Sequence, residues 1–266
     1  MIDELRVVVN GKISRNWGIQ IYVDYCDQTD AGLYESLVLQ LLHRDPGAGQ
    51  YVVQHMDSWF ENKEKKDLFY IQMEYCLMDL TTFLSKRYKI FRAGQDWQPM
   101  PELEFFVCCQ LYLRLVNCLK YIHSNSNVVP VIHSDLHFGN VLLAKFKDKL
   151  AVKLADFDLS ITINRENNNK DKYCHYDIMN LSFGLTELFD FNNRNPQNYQ
   201  IVGNQRKADI KAISDDLIDQ DRLRNNNFLS YDELVDNMKR WQISEQTDVL
   251  ASVTRRVSVN QHLSKN

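Results

Sequence analysis

The sequence lacks an excess of basic residues. Its 266 residues carry 31 Lys and Arg against 35 Asp and Glu, a formal net charge of −4. Nothing here indicates the basic face that a nucleic-acid footprint requires. The six cysteines, Cys26, Cys76, Cys108, Cys109, Cys118 and Cys174, form no CxxC pair and no zinc-ligand spacing. Most stand in apolar runs, which reads as reduced, partly buried thiols of a cytosolic or nuclear protein. Cys108-Cys109 reads as helix packing rather than a redox pair. Uninterrupted apolar runs are too short to cross a bilayer, so no membrane role is expected. The acidic start Met1-Ile2-Asp3-Glu4 is unlike a signal peptide. There is no internal repeat. No GxGxxG string occurs anywhere, so no glycine-rich phosphate cradle is evident.

What is present divides into two halves. Residues 5–9 and 18–25 are rich in Val, Ile and Tyr and flank Asn10-Gly11, a strong turn signal. This predicts a short β-ribbon between them. Thr29 or Asp30 is placed to cap a helix whose Leu33, Leu37, Val38 and Leu41 would line one face. Asp45-Pro46-Gly47 ends it. Residues 51–60 and 67–75 predict a pair of strands, with a charged turn over 62–66.

Past Tyr75 the period changes. Residues 80–87 predict a short helix, followed by a polar loop with Gly94, Pro99 and Pro101. Phe106, Val107, Leu111, Leu115, Cys118, Leu119 and Ile122 then recur at spacings of three and four, which predicts a long helix with one buried face. Short strands are predicted near 128–132, 141–143 and 151–154, and helices from Asp177 onward. Residues 164–172 and the tail after Trp241 are polar. Strands and one helix followed by helices predict an α+β chain in two lobes. The small antiparallel β-lobe would span 1–76, the larger helical lobe 77–242 and a tail 243–266, with the join near residues 74–79.

One stretch carries chemistry: His133-Ser134-Asp135-Leu136-His137-Phe138-Gly139-Asn140-Val141-Leu142-Leu143, followed sixteen residues past Asn140 by Asp156-Phe157-Asp158. Phosphoryl transfer needs a carboxylate to orient the attacking hydroxyl and oxygen ligands for magnesium bridging the phosphates. Asp135 suits the first duty, and Asn140 and Asp156 the second. A lone HxD would read as unrelated loop polarity. Here HxDxxxxN precedes an apolar strand, a turn and a second strand that ends in Asp-Phe.

On these residues the chain resembles the protein-kinase superfamily over roughly residues 15–240. The resemblance implies ATP and magnesium as cofactors and a protein as substrate, with no nucleic-acid or membrane partner. Met73-Glu74-Tyr75-Cys76 looks like the gatekeeper and hinge, whose backbone binds the adenine edge. Asp79 lies where kinases often contact the ribose, and Leu143 falls on the strand beneath the nucleotide. Tyr121-Ile122-His123-Ser124 looks like the end of the helix before the catalytic loop. His133 has a structural role in kinases and is expected in the core. Asp177-Ile178-Met179-Asn180-Leu181 looks like the start of the central helix, whose Asp braces that loop, and residues 228–237 look like the final helix. Within the superfamily the chain is most similar to haspin-like Ser/Thr kinases, which carry His at the position of His137 and follow it with an aromatic, Gly and Asn. They also depart from DFG, as Asp158 does here, and lack Ala-Pro-Glu. A divergent viral kinase could carry the same string. The interval from Asp156 to Asp177 is too short for an ordinary activation segment, which predicts activity without loop phosphorylation.

The chain departs from the family in its small lobe. The strand near residues 18–25 looks like the lysine strand but reads Ile19-Gln20-Ile21, and Gln20 supplies no charge. Glu35 is placed to be the lysine's helix partner; it also reads as a solvated helix carboxylate. Lys12 on the preceding ribbon is either a substitute lysine or a turn residue. Three functions follow: a Ser/Thr protein kinase, a pseudokinase that binds partners, or a small-molecule kinase with a similar HxD loop. Asp135, Asn140 and Asp156 favour the first. Gln20 and the missing glycine loop favour the second. Arg255-Arg256-Val257-Ser258 resembles a basophilic phosphorylation site of the kind that arises by chance in polar tails.

Overall fold

The structure, a computed structural model, describes residues 8–9, 12–13, 17–23, 28–63, 66–92, 94, 100–124, 129–147, 149–163, 170–189, 204–217 and 230–239, with side chains described from Asp30 onward except at 62–63, 66–67, 170–173, 204–207, 209, 216, 237 and 239. Asn10-Gly11, residues 164–169, the tail over 243–266 and its Arg255-Arg256-Val257-Ser258 lie outside the described residues.

The chain folds as an α+β protein in two lobes. The small lobe centres on an antiparallel sheet of β3 (Trp17–Val23), β5 (Lys66–Glu74) and β4 (His55–Lys63), in that spatial order. Facing aromatics hold the register: Trp59 stacks on Tyr70 at 5.2 Å and Phe60 meets Phe69 at 4.7 Å, each pair directly opposed across the ladder. The expected ribbon needs correction. Val9 pairs with Lys12, so β1 (Val8–Val9) and β2 (Lys12–Ile13) form their own two-stranded sheet around the Asn-Gly pair. The strand β3 joins the main sheet instead. A two-residue connection pairs the residues next to it, leaving β3 free to pair elsewhere.

Helix α1 (Gln28–Leu42) packs on this sheet. It starts at Gln28, so Thr29 and Asp30 lie in its first turn and do not cap it. The buried face also differs from the expected one. Val38, Leu39 and Leu42 are buried together with Glu35 and Ser36, while Leu37 is 63% exposed. A polar seam sets this rotation: the Ser36 hydroxyl meets His55 Nε2 at 3.1 Å and the Ser58 hydroxyl at 2.9 Å. Residues 51–54 do not extend the hairpin as expected. Residues 51–53 join β9 (Lys149–Leu154) of the large lobe, where Leu154 N–H donates to Tyr51 O and Val53 N–H to Leu154 O, both at 2.9 Å, while Gln54 O accepts Glu74 N–H of β5.

The large lobe opens with β6 (Met78–Asp79) and α2 (Leu80–Phe91). Asp79 caps α2 by accepting Thr82 N–H at 2.7 Å, worth about 1 kcal/mol. Helix α3 (Glu102–Ser124) buries Leu111, Tyr112, Leu115, Cys118, Leu119 and Ile122. Taken as a whole helix, α3 is long and apolar enough to span a bilayer by length and composition alone, a test that the core helix of a protein also passes. Its apolar faces are spent on the protein core, and the buried Glu104 near its start holds buried Arg92 in a bidentate pair at 2.6 and 2.7 Å. Strands β6, β8 (Val141–Phe146) and β9 make a second sheet, and β7 (Val131–Ile132) pairs with β10 (Ile161–Thr162).

Helix α4 (Lys170–Leu188) begins before Asp177, so Asp177 sits inside it and not at its start. Ile178, Leu181, Leu185 and Leu188 give it a core-facing stripe with helical spacing. α5 (Asn204–Leu217) packs on α4. α6 (Tyr231–Lys239) opens with a capping box, in which Glu233 N–H donates to Ser230 Oγ at 3.2 Å and Ser230 N–H to Glu233 Oε2 at 2.8 Å. One apolar core runs from Ile71 and Met73 of the small lobe through Leu154 and Phe157 to Leu181 of the large one.

Candidate functional site

The loop from β7 to β8 carries Asp135, His137 and Asn140, and buried groups hold it from beneath. Asp177 is fully buried and its carboxylate accepts His133 N–H at 2.7 Å and Ser134 N–H at 2.9 Å. These bonds hold Ser134 at φ 65°, left-handed backbone that costs an L-residue about 1–2 kcal/mol. His133, as expected, lies in the core: its Nε2 bonds Ala155 O at 2.9 Å and its ring lies 4.8 Å from that of Phe157. The loop is thereby tied to the end of β9.

Within the loop, Asn140 Nδ2 donates to Asp135 O at 3.0 Å and to Asp135 Oδ2 at 3.2 Å. His137 Nδ1 accepts Gly139 N–H at 3.0 Å, and its Nε2 stands 3.6 Å from Asp135 Oδ2. Both side chains are open to solvent, at 57% and 40% exposure. A Cβ on Gly139 would lie 2.7 Å from His137 Cε1, so only glycine fits beside the ring. Ala155 N–H donates to Asn140 O at 3.0 Å, which sets Asp156 next to the loop. Asp156 itself has φ 65° and turns the chain out of β9; Asp tolerates this region better than most residues. The Asp158 carboxyl lies above its ordinary range, through burial first and then through the charges of Asp156 and, more weakly, Asp135. Asp158 therefore lies within the fields of Asp156 and Asp135, which a divalent cation held by Asp156 would offset.

Glu35 is not a solvated helix carboxylate. It is fully buried and its Oε1 accepts Phe157 N–H at 3.2 Å, which links α1 to the Asp156 loop. Met73 and Glu74 end β5, Cys76 follows them, and Leu143 lies on β8. Met73 and Leu143 are buried, and Leu77 N–H donates to Leu143 O at 2.7 Å. Burial pushes the Cys76 thiol up to about 12, so no thiolate chemistry is available there. Asp79 faces a competing duty, because both its oxygens are engaged by Thr82, whose Oγ1 also donates at 2.7 Å. Gln20 is placed by register opposite Ile71; its side chain and that of Lys12 lie outside the described residues.

Sequence reasoning passed over two groups. Lys153 is buried and ion-paired to Glu74 Oε1, which also accepts Gln54 N–H at 2.8 Å. Its one signal was a lone cation within an apolar strand. The second group, His123 and Tyr231, stands behind Asp177 and had no local signal.

Among the described residues no cluster of three His, Cys, Asp or Glu side chains forms a metal cage. Magnesium does not need one, since it binds through one or two protein oxygens plus substrate phosphates. The donor set fits that habit: with Nδ2 spent on Asp135, the amide oxygen of Asn140 is left as an acceptor beside Asp156.

A family model described as protein kinase domain matches residues 29–178, more than half of the chain. The match begins at α1 and ends just past Asp177, so it contains Glu35, the 73–79 segment, the Asp135 loop and Asp156. None of the curated proteins matches the chain.

Proposed function

Since the chain belongs to the protein kinase family, we propose that it transfers the γ-phosphoryl group of ATP to a Ser or Thr hydroxyl of a protein substrate. The observation that carries this reading is the coupled loop: Asn140 bonds the side chain of Asp135, Asp177 fixes the loop backbone, and Ala155 N–H holds Asp156 alongside. Asp135 is half-exposed at the cleft and would orient the attacking hydroxyl and take its proton. Asn140 and Asp156 would hold magnesium, which supplies positive charge against the phosphates. Glu74 and Cys76 would meet the adenine edge through their backbone, with Leu143 beneath the base and Met73 at the back.

The haspin-like branch is the proposed placement. His137, the string Phe138-Gly139-Asn140, Asp158 and the missing Ala-Pro-Glu support it. The same features suit a divergent viral member. Activity is proposed to need no loop phosphate, because β10 pairs directly with β7 and Ser160 Oγ donates to Phe157 O at 2.6 Å. Free cysteines buried at 108, 109, 118 and 174 suit a reducing compartment, cytoplasm or nucleus.

A pseudokinase is the second reading, favoured by Gln20 and the absent glycine loop. ATP turnover on a mixed protein substrate, with and without magnesium, separates the two. Magnesium-dependent phosphate transfer that disappears in Asp135→Asn is the expected result. No transfer by the native chain would favour the pseudokinase.

A further inference from the structure

Behind the catalytic loop runs a chain of hydrogen bonds that the phosphoryl-transfer chemistry does not itself use. It begins on α6, where the Tyr231 hydroxyl meets His123 Nδ1. It continues from His123 Nε2 to Asp177 Oδ2 at 2.8 Å. It ends where Asp177 accepts the amides of His133 and Ser134. His123 is 2% exposed and Asp177 fully buried, so water does not substitute for these partners. The residues come from α3, α4, α6 and the loop, and span 108 positions between Tyr231 and His123 alone. A second tie, Lys120 to Asp232 at 2.6 Å on the exposed side, holds the same two helices together.

The direction of each bond follows from the chemistry of the groups. Asp177 as a carboxylate only accepts, so His123 Nε2 carries a proton. A neutral ring then leaves Nδ1 as an acceptor, and the Tyr231 hydroxyl is the donor. Burial first, then the neighbouring Cys174 and Asp177, push the Tyr231 phenol above its ordinary range and keep it protonated. The groups that face His123 are Tyr231 from α6 and Asp177 from α4, with Cys174 and His133 close behind them. Tyr231 stacks obliquely on the His123 ring at 5.6 Å, so its hydroxyl is aimed by packing as well.

We infer that Tyr231 is a positioning residue for the catalytic loop: through His123 it fixes which nitrogen faces Asp177, and so the geometry that Asp177 imposes on His133, Ser134 and Asp135. The terminal helix α6 is thereby part of the phosphoryl-transfer apparatus without touching substrate. This rests on the proposed kinase reading for its effect on turnover, but the bond chain itself can be read without it.

The test is Tyr231→Phe, which keeps the ring and deletes the donor. Nitrogen-15 NMR of the native chain should show the His123 ring proton on Nε2, with Nδ1 an acceptor. In the variant Nδ1 loses its donor, and the His123 Nδ1 resonance should shift as that hydrogen bond is lost. Hydrogen exchange at the His133 and Ser134 amides should rise about tenfold, and kcat should fall several-fold with KM for ATP unchanged. A native His123 that is protonated at Nδ1, or exchange at those two amides identical in both chains, would overturn the inference. The native tautomer alone decides it if the variant does not fold. A native chain without turnover would refute the kinase reading while leaving these two readouts in force.

Discussion

Glu35 Oε1 accepts the backbone N–H of Phe157 at 3.2 Å, so the helix of the small lobe is bonded directly to the loop that carries Asp156. Family lysines bind such a glutamate and the phosphates together. Here the strand offers Gln20, and under the proposed function magnesium would be the main positive charge to face the phosphates. ATP binding should therefore be weak, should nearly vanish in EDTA and should drop strongly in Asp156→Ala. Gln20→Lys should tighten it by about tenfold, or ~1.4 kcal/mol. Calorimetry reads all of these. Metal-independent binding of ordinary strength would point to another phosphate anchor, with Lys12 the first to test.

Gly139 and His137 form a unit, since the Gly139 amide donates to the ring and a Cβ there would collide with it. Gly139→Ala should push the ring away from Asp135 and lower kcat about tenfold. Because His137 is more than half exposed, thermal stability should change little. A large loss of melting temperature with unchanged kcat would show that this glycine serves packing instead.

Lys153 and Glu74 tie β9 of the large lobe to the end of β5 in the small one. The buried ammonium holds Glu74, whose backbone N–H also donates to Gln54 O at 2.9 Å, and Lys153 lies three residues before Asp156. Lys153→Met leaves Glu74 facing the interior without its cation, and loss of one partner of a buried pair costs about 3–5 kcal/mol. The double variant Lys153→Met, Glu74→Gln should recover much of that, and a thermodynamic cycle from urea unfolding measures the coupling. Additive losses would refute the link.

Asp177 makes the fold acid-labile in a defined window. Burial alone would raise its pKa, but the hydrogen bonds from the His123 ring and the His133 amide hold it below the ordinary carboxylate range. A depressed carboxyl contributes stability that is present above its unfolded value of about 3.9 and is lost as the pH falls through the lower folded value. Asp177→Asn should cost about 2–4 kcal/mol at pH 7, because an amide turns a donor toward backbone donors. The gap to the native chain should close below about pH 4. A constant gap across pH 3–7 in urea titrations would contradict this.

The catalytic loop was legible because its information is local: the spacings among Asp135, Asn140 and Asp156 place them on one turn and the next strand end. The long helix was legible for the same reason, as its apolar spacing needs no partner to be seen. The sequence by itself thus determined the two-lobed fold and the kinase motif that the proposed function rests on. Only the tertiary structure decided that Glu35 is inside and Leu37 outside, because the rotation of α1 depends on Ser36 meeting His55 and Ser58 of a strand that follows it. It likewise decided that Val9 pairs with Lys12 and β3 with β5, that Lys153 pairs with Glu74, and that Tyr231 meets His123. These pairings join residues as much as 79 and 108 positions apart, and a buried charge or donor reveals its partner only once the chain has excluded water around both.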